Sequence, residues 1–87
     1  MITVYSKEGC PFCDRAKQLL ESYGMEYKEK RIDLDTQARD FVVGNGHRTV
    51  PQLYVGEDLL VEGGFDGLKA VPEETLKSTV EHMSASK

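Results

Sequence analysis

"ITVYSKEGCPFCDRAKQLLESYG", residues 2–24, changes its period part-way through. Ile2 to Ser6 alternates β-branched and aromatic residues with smaller ones, which predicts a strand. "KEG" breaks it. Pro11 suits the first turn of a helix, where a missing N–H costs nothing. Ala16, Leu19, Leu20 and Tyr23 then recur at helical spacing, and Asp14, Arg15, Lys17, Gln18 and Glu21 fall on the opposite side. Gly24 stops the helix as a cap glycine does.

The rest of the chain extends this strand–helix unit. "MEYKEKRI", residues 25–32, predicts a charged strand that suits a sheet edge, where charge blocks unwanted pairing. "DLDTQARDFVVGNG" predicts a short helix capped by Asp35 or Thr36 and ended by the glycines. "PQLYV" and "LLVEG" flank "GED" as a hairpin, with Pro51 the first residue of its strand. After "GGFDG" a last helix runs through Leu68, Val71, Leu76, Val80 and Met83, with Pro72 reopening it, and "SASK" is a frayed tail. A β-α-β unit is parallel and right-handed, and a hairpin is antiparallel. The fold class is therefore α/β, a mixed four-stranded sheet flanked by three helices.

Composition narrows the function. Eighty-seven residues make one domain, 1–87. The net charge of -4 gives no basic footprint for nucleic acid. Apolar runs are too short to span a membrane. "MITVYS" has no basic region followed by an apolar stretch, so no signal peptide is expected and the default compartment is cytoplasmic. Thiols stay reduced there, so the two cysteines are redox-active or metal-bound before they are a staple.

Spacing makes the two thiols unequal. Residues three apart at a helix start share a face, within the roughly 4.4–6.8 Å that a disulfide spans. Cys10 precedes Pro11 and so takes the N-cap, beside free N–H groups that favour a thiolate. Lys7 adds positive charge three residues earlier. Cys13 shares the stripe of Ala16 and Leu20 and points to the core. Cys10 is thus the candidate nucleophile and Cys13 the resolving thiol. Zinc would need further ligands, and only His47 and His82 are on offer, so no metal is expected.

With these residues in view, the chain resembles the glutaredoxins of the thioredoxin superfamily over nearly its whole length. "KEGCPFC" is similar to that family's active-site run, usually C-P-Y-C, with Phe12 in place of the tyrosine. "TVP", Thr49 to Pro51, is similar to its cis-proline loop, and "GGFD", Gly63 to Asp66, to its glutathione-binding turn. The resemblance implies the thioredoxin-like fold and glutathione as reducing co-substrate. A cis Pro51 would turn the Val50 backbone towards Cys10, so that a short peptide pairs with it as an added strand. Asp66 is expected at a helix N-cap. Free N–H groups there would take the γ-glutamyl carboxylate, and the Asp66 side chain the neighbouring ammonium. Gly64 would allow close backbone approach. Lys7 would meet the glycyl carboxylate, while Phe12 and Phe65 would border the ligand. Gln37, Arg39 and Arg48 all stay open for the second carboxylate.

The implied partners are glutathione and disulfide-bonded or glutathionylated proteins, ribonucleotide reductase being one candidate, with the protein acting as a monomer. One rival is a redoxin of the same fold reduced by thioredoxin reductase. The other is an iron–sulfur scaffold, against which Pro11 weighs, since cluster-binding relatives tend to carry a smaller residue there.

Overall fold

The computed structural model describes residues 1–85. Ile2–Ser6 is β1, Pro11–Ser22 is α1 and Tyr27–Arg31 is β2. Thr36–Gly44 is α2, Gln52–Val55 is β3 and Asp58–Leu59 is β4. Gly64–Ala70 is α3 and Glu73–Ala85 is α4. The sheet order is β2-β1-β3-β4. β1 pairs with β2 in parallel, from Ile2↔Tyr27 to Ser6↔Arg31. β3 is antiparallel to both β1 and β4. The charged strand β2 does lie at an edge, as its composition predicts.

Alternation along β1 divides the apolar residues between two faces. Ile2 and Val4 pack with Ala16 and Leu20 of α1, Leu53 and Val55 of β3, Leu60, and Leu68 and Leu76 from α3 and α4. Tyr5 and Tyr54 face the other way, onto Ala38 and Val42 of α2. The glycine stops take one form at both early helices. Gly24 has φ 69°, the Gly24 N–H donates to Glu21 O and the Met25 N–H to Leu20 O, each at 3.0 Å. Gly46 has φ 84°, with N–H bonds from Gly46 to Val43 O and from His47 to Val42 O. These paired bonds satisfy the last carbonyls of each helix and turn the chain sharply. At the other end of α2 the cap is Asp35, whose carboxylate accepts from the Ala38 N–H at 3.1 Å.

Four expectations need correction. There are four helices, not three: Val71 is extended (φ -93°, ψ 125°) because the residue before a proline is pushed out of the helical region, so α3 ends there and α4 starts after Pro72. β4 is two residues long and begins at Asp58, because the turn is Gly56–Glu57 alone. Gly56 has φ 63°, and a glycine at the first turn position closes a two-residue hairpin tightly. The chain then bends inward at Leu60, whose N–H still donates to Leu53 O. Pro51 stands just outside β3, its bond to Val50 being cis. Ser84 and Ala85 belong to α4; the rest of the expected tail lies outside the described residues.

Candidate active site

The site begins where β1 hands over to α1. Cys10 is the N-cap of α1 in an extended conformation (φ -108°, ψ 99°), followed by Pro11 in the first turn. Its Sγ accepts the Cys13 N–H at 3.2 Å. This is the bond a capping serine or aspartate makes, here spent on sulfur. The Cys10 thiol also lies 3.6 Å from the Val50 carbonyl oxygen, which accepts from it. Both cysteines are free; Cys10 is 9 % exposed and Cys13 1 %. Burial first, and the Cys10 sulfur second, push the Cys13 thiol up to about 12. Cys13 therefore keeps its proton, and Cys10 is the more exposed of the two sulfurs and the one that accepts a backbone N–H.

The cis Val50–Pro51 bond brings the loop before β3 against this thiol. Gln52 secures that loop: it is buried, and its Nε2 donates to the Thr49 carbonyl at 3.0 Å. From the far side Gly64, at φ 59°, packs on the Pro51 carbonyl so closely that a Cβ would stand 2.9 Å from it. A cavity of about 550 Å³ opens between them. Phe12, Thr49, Val50, Pro51, Gly64, Phe65 and Asp66 all border it.

Comparison with known proteins supplies the family. A sequence model described as Glutaredoxin matches residues 2–60. This protein belongs to the glutaredoxin family. It is 38 % identical over 71 residues to Glutaredoxin 3 of Escherichia coli K12, covering 80 % of this chain and 83 % of that protein. A glutaredoxin from buckwheat, solved as a complex with glutathione, superposes with a TM-score of 0.74 at 25 % identity, covering 97 % of this chain and 79 % of that one. The solution structure of a glutaredoxin from Brucella melitensis gives 0.69 at 31 % identity, covering 91 % and 85 %. The fold is thioredoxin-like, and the glutaredoxin is a thiol–disulfide oxidoreductase.

Other expected residues of this glutaredoxin fall in different places. Lys7 borders a second, smaller cavity of about 120 Å³, together with Arg39 and Arg48. Thr49 and Val50 border both cavities, so they form the ridge between them. Gln37 borders neither. Asp66 is not at the N-cap. Gly63 takes that position (φ 86°) with no capping side chain, and Asp66 follows in the first turn, exposed and 3.5 Å from Lys69. Two glycines in succession let the chain enter the helix three residues earlier than the acid suggests. Phe12 is 49 % exposed, with its ring 6.2 Å from that of Phe65.

Three features of the site go beyond the sequence expectations. Gln52 is one, and the lone amide inside "PQLYV" is its only sequence signal. His47 hydrogen-bonds Tyr54 Oη at 2.6 Å and also borders both cavities; the glycine stop of α2 delivers it there. Asp33 accepts the Glu8 N–H at 3.2 Å and a fork from Arg31 at 2.8 and 2.6 Å. Those bonds pin the loop that carries Lys7 and Cys10, and the guanidinium holds the Asp33 carboxyl down to about 2. No sequence signal marks this contact. Among the described residues no group of three or more His, Cys, Asp and Glu side chains is arranged to hold a metal ion.

Proposed function

We propose that this glutaredoxin reduces protein disulfides and glutathione mixed disulfides with glutathione as its electron source, in a compartment that keeps thiols reduced. The observation that carries the reading is the placement of Cys10 Sγ. It sits between the Cys13 N–H and the Val50 carbonyl, next to the cavity bordered by Phe12 and Gly64–Asp66. The glutathione held by the buckwheat relative supports the same ligand here.

The Cys10 thiolate attacks a substrate disulfide, forms a new S–S bond and releases one substrate thiolate, which takes a proton from water. For a protein disulfide, Cys13 then attacks Cys10 Sγ, closing the Cys10–Cys13 bond and releasing the second substrate thiol. Two glutathiones reopen that bond and leave as glutathione disulfide. For a glutathionylated protein, Cys10 takes the glutathione and a second glutathione removes it, so Cys13 is not needed. The peptide-like ligand lies along Val50 in the manner of an added strand. Lys7, with Arg39 or Arg48, receives its glycyl carboxylate on one side of the Thr49–Val50 ridge. The first turn of α3, with Asp66, receives the γ-glutamyl group on the other. Phe12 and Phe65 cover the apolar middle.

A coupled assay tests the electron source. Reduction of a small disulfide is followed by NADPH consumption through glutathione and glutathione reductase, and separately through thioredoxin reductase. The proposal expects turnover by the first route. Turnover by the second route alone overturns the roles given to Lys7, Val50 and Asp66 together.

A further inference from the structure

A polar cluster lies under the start of α1, on the sheet face that Cys13 faces. Ser6 ends β1, and Glu29 sits in β2 as its diagonal neighbour in the parallel register. Val4, two residues before Ser6, packs on Ala16 and Leu20, so Ser6 shares the α1 side of the sheet. Ser6 is 1 % exposed, and its hydroxyl donates to Glu29 Oε2 at 2.5 Å. Lys17 Nζ reaches the same oxygen at 2.8 Å and Asp14 Oδ1 at 3.5 Å. The ammonium is thus fixed by two carboxylates, and Glu29 holds its protonation up. Lys17 also follows Cys13 by one helical turn, which makes the two neighbours on the helix surface.

We propose that Lys17, held by Glu29 and Asp14, is a positioning residue for the resolving step, its ammonium stabilising negative charge on Cys13 Sγ as that thiol attacks the Cys10 mixed disulfide. The inference rests on the dithiol reading above. Cys13 gives its proton to water, and its sulfur bonds to Cys10 Sγ. The bond from Cys10 to the departing sulfur breaks, and the electron pair leaves on that sulfur, which is protonated in turn. Cys10 and Cys13 are oxidised together and the substrate sulfur is reduced. Only the thiolate attacks, and burial works against it. Around Cys13, Cys10 acts in the same unfavourable direction as burial, while the Lys7 backbone N–H and the Lys17 charge oppose it. From β2, Glu29 faces Lys17. On α3, which packs on α1, Asp66 and Lys69 are paired with each other at the surface. Lys17 therefore supplies the formal positive charge, already fixed before the reaction, so no reorganisation is needed when charge develops.

The test is a single turnover. Reduced protein is mixed with glutathione disulfide, and closure of the Cys10–Cys13 bond is followed by quench and mass spectrometry across about pH 6–9. Lys17→Met slows closure at neutral pH by about fivefold, the scale of one fixed charge at an effective dielectric well above that of a dry interior. The deficit persists across this range, because Cys13 stays protonated throughout it, and Lys17→Arg restores the rate. In a Cys13→Ser background Lys17→Met has no step to act on, and glutathione exchange at Cys10 is unaltered. Lys17→Gln gives the same comparison if the methionine variant does not fold. A wild type that closes, with Lys17→Met closing at the same rate, overturns the inference alone. A wild type that never closes overturns the dithiol reading and the inference with it.

Discussion

Gly64→Ala tests how the two halves of the site are joined, and Gly63→Ala is its internal control. Both glycines have left-handed backbones, φ 59° and 86°, where a side chain costs roughly 1–2 kcal/mol. They differ in the space around them. A Cβ at Gly63 would find its nearest neighbour, the Gly67 nitrogen, at 3.5 Å, an ordinary contact. A Cβ at Gly64 would stand 2.9 Å from the Pro51 carbonyl oxygen, with the proline ring at 3.7 and 3.8 Å. That oxygen is backbone, so the α3 entry or the cis-proline loop must move, at a further cost of about 1–3 kcal/mol for overpacking. Urea unfolding should show Gly63→Ala losing about 1–2 kcal/mol and Gly64→Ala about 2–5. Movement of Pro51 carries Val50 with it, so Gly64→Ala should also raise KM for a glutathionylated peptide more than Gly63→Ala does. Equal destabilisation of the two variants, or a wild-type KM in Gly64→Ala, refutes the packing argument.

Three further outcomes follow from the same coordinates. Gly67→Ala would drive a Cβ into the Glu62 carbonyl and should lose about 3 kcal/mol or fail to fold, read by thermal melting. Asp35→Ala removes the cap bond to the Ala38 N–H and should cost about 1 kcal/mol in urea unfolding, with Asp35→Ser recovering most of it. Asp33 sets an acid limit. Its folded carboxyl, first through Arg31, lies at about 2 against an ordinary value of 3.8. Its contribution is therefore fully present above pH 3.8 and is lost as pH falls through 2. Asp33→Asn should flatten the acid limb of stability measured by denaturant titration in that window, and an unchanged limb contradicts the pairing.

The first third of the chain was legible because its signals agree. The period changes from two to helical spacing at Pro11, and Gly24 marks the stop, so β1, α1 and both cysteines fall where their pattern puts them. The hairpin was less legible. Leu59, Leu60 and Val61 read as one strand, yet Leu60 turns into the core after only two residues of β4. Leu68, Val71 and Leu76 keep an apolar stripe across the Val71–Pro72 break, which hid the fourth helix. Asp66 kept its cavity but not its cap, because two glycines with positive φ begin α3 early. Gln52, His47 and Asp33 depend on contacts across the fold, between residues that sequence spacing does not relate.

The most direct test of the account is where glutathione becomes attached. Each single-cysteine variant is mixed with glutathione disulfide near neutral pH, and the protein is mapped by peptide mass spectrometry. Cys13→Ser should accumulate a glutathione adduct on Cys10 that added glutathione removes. Cys10→Ser should leave its buried Cys13 unmodified on that timescale. An adduct forming on Cys13 as fast as on Cys10, or none on Cys10, contradicts the assignment of nucleophile and resolver.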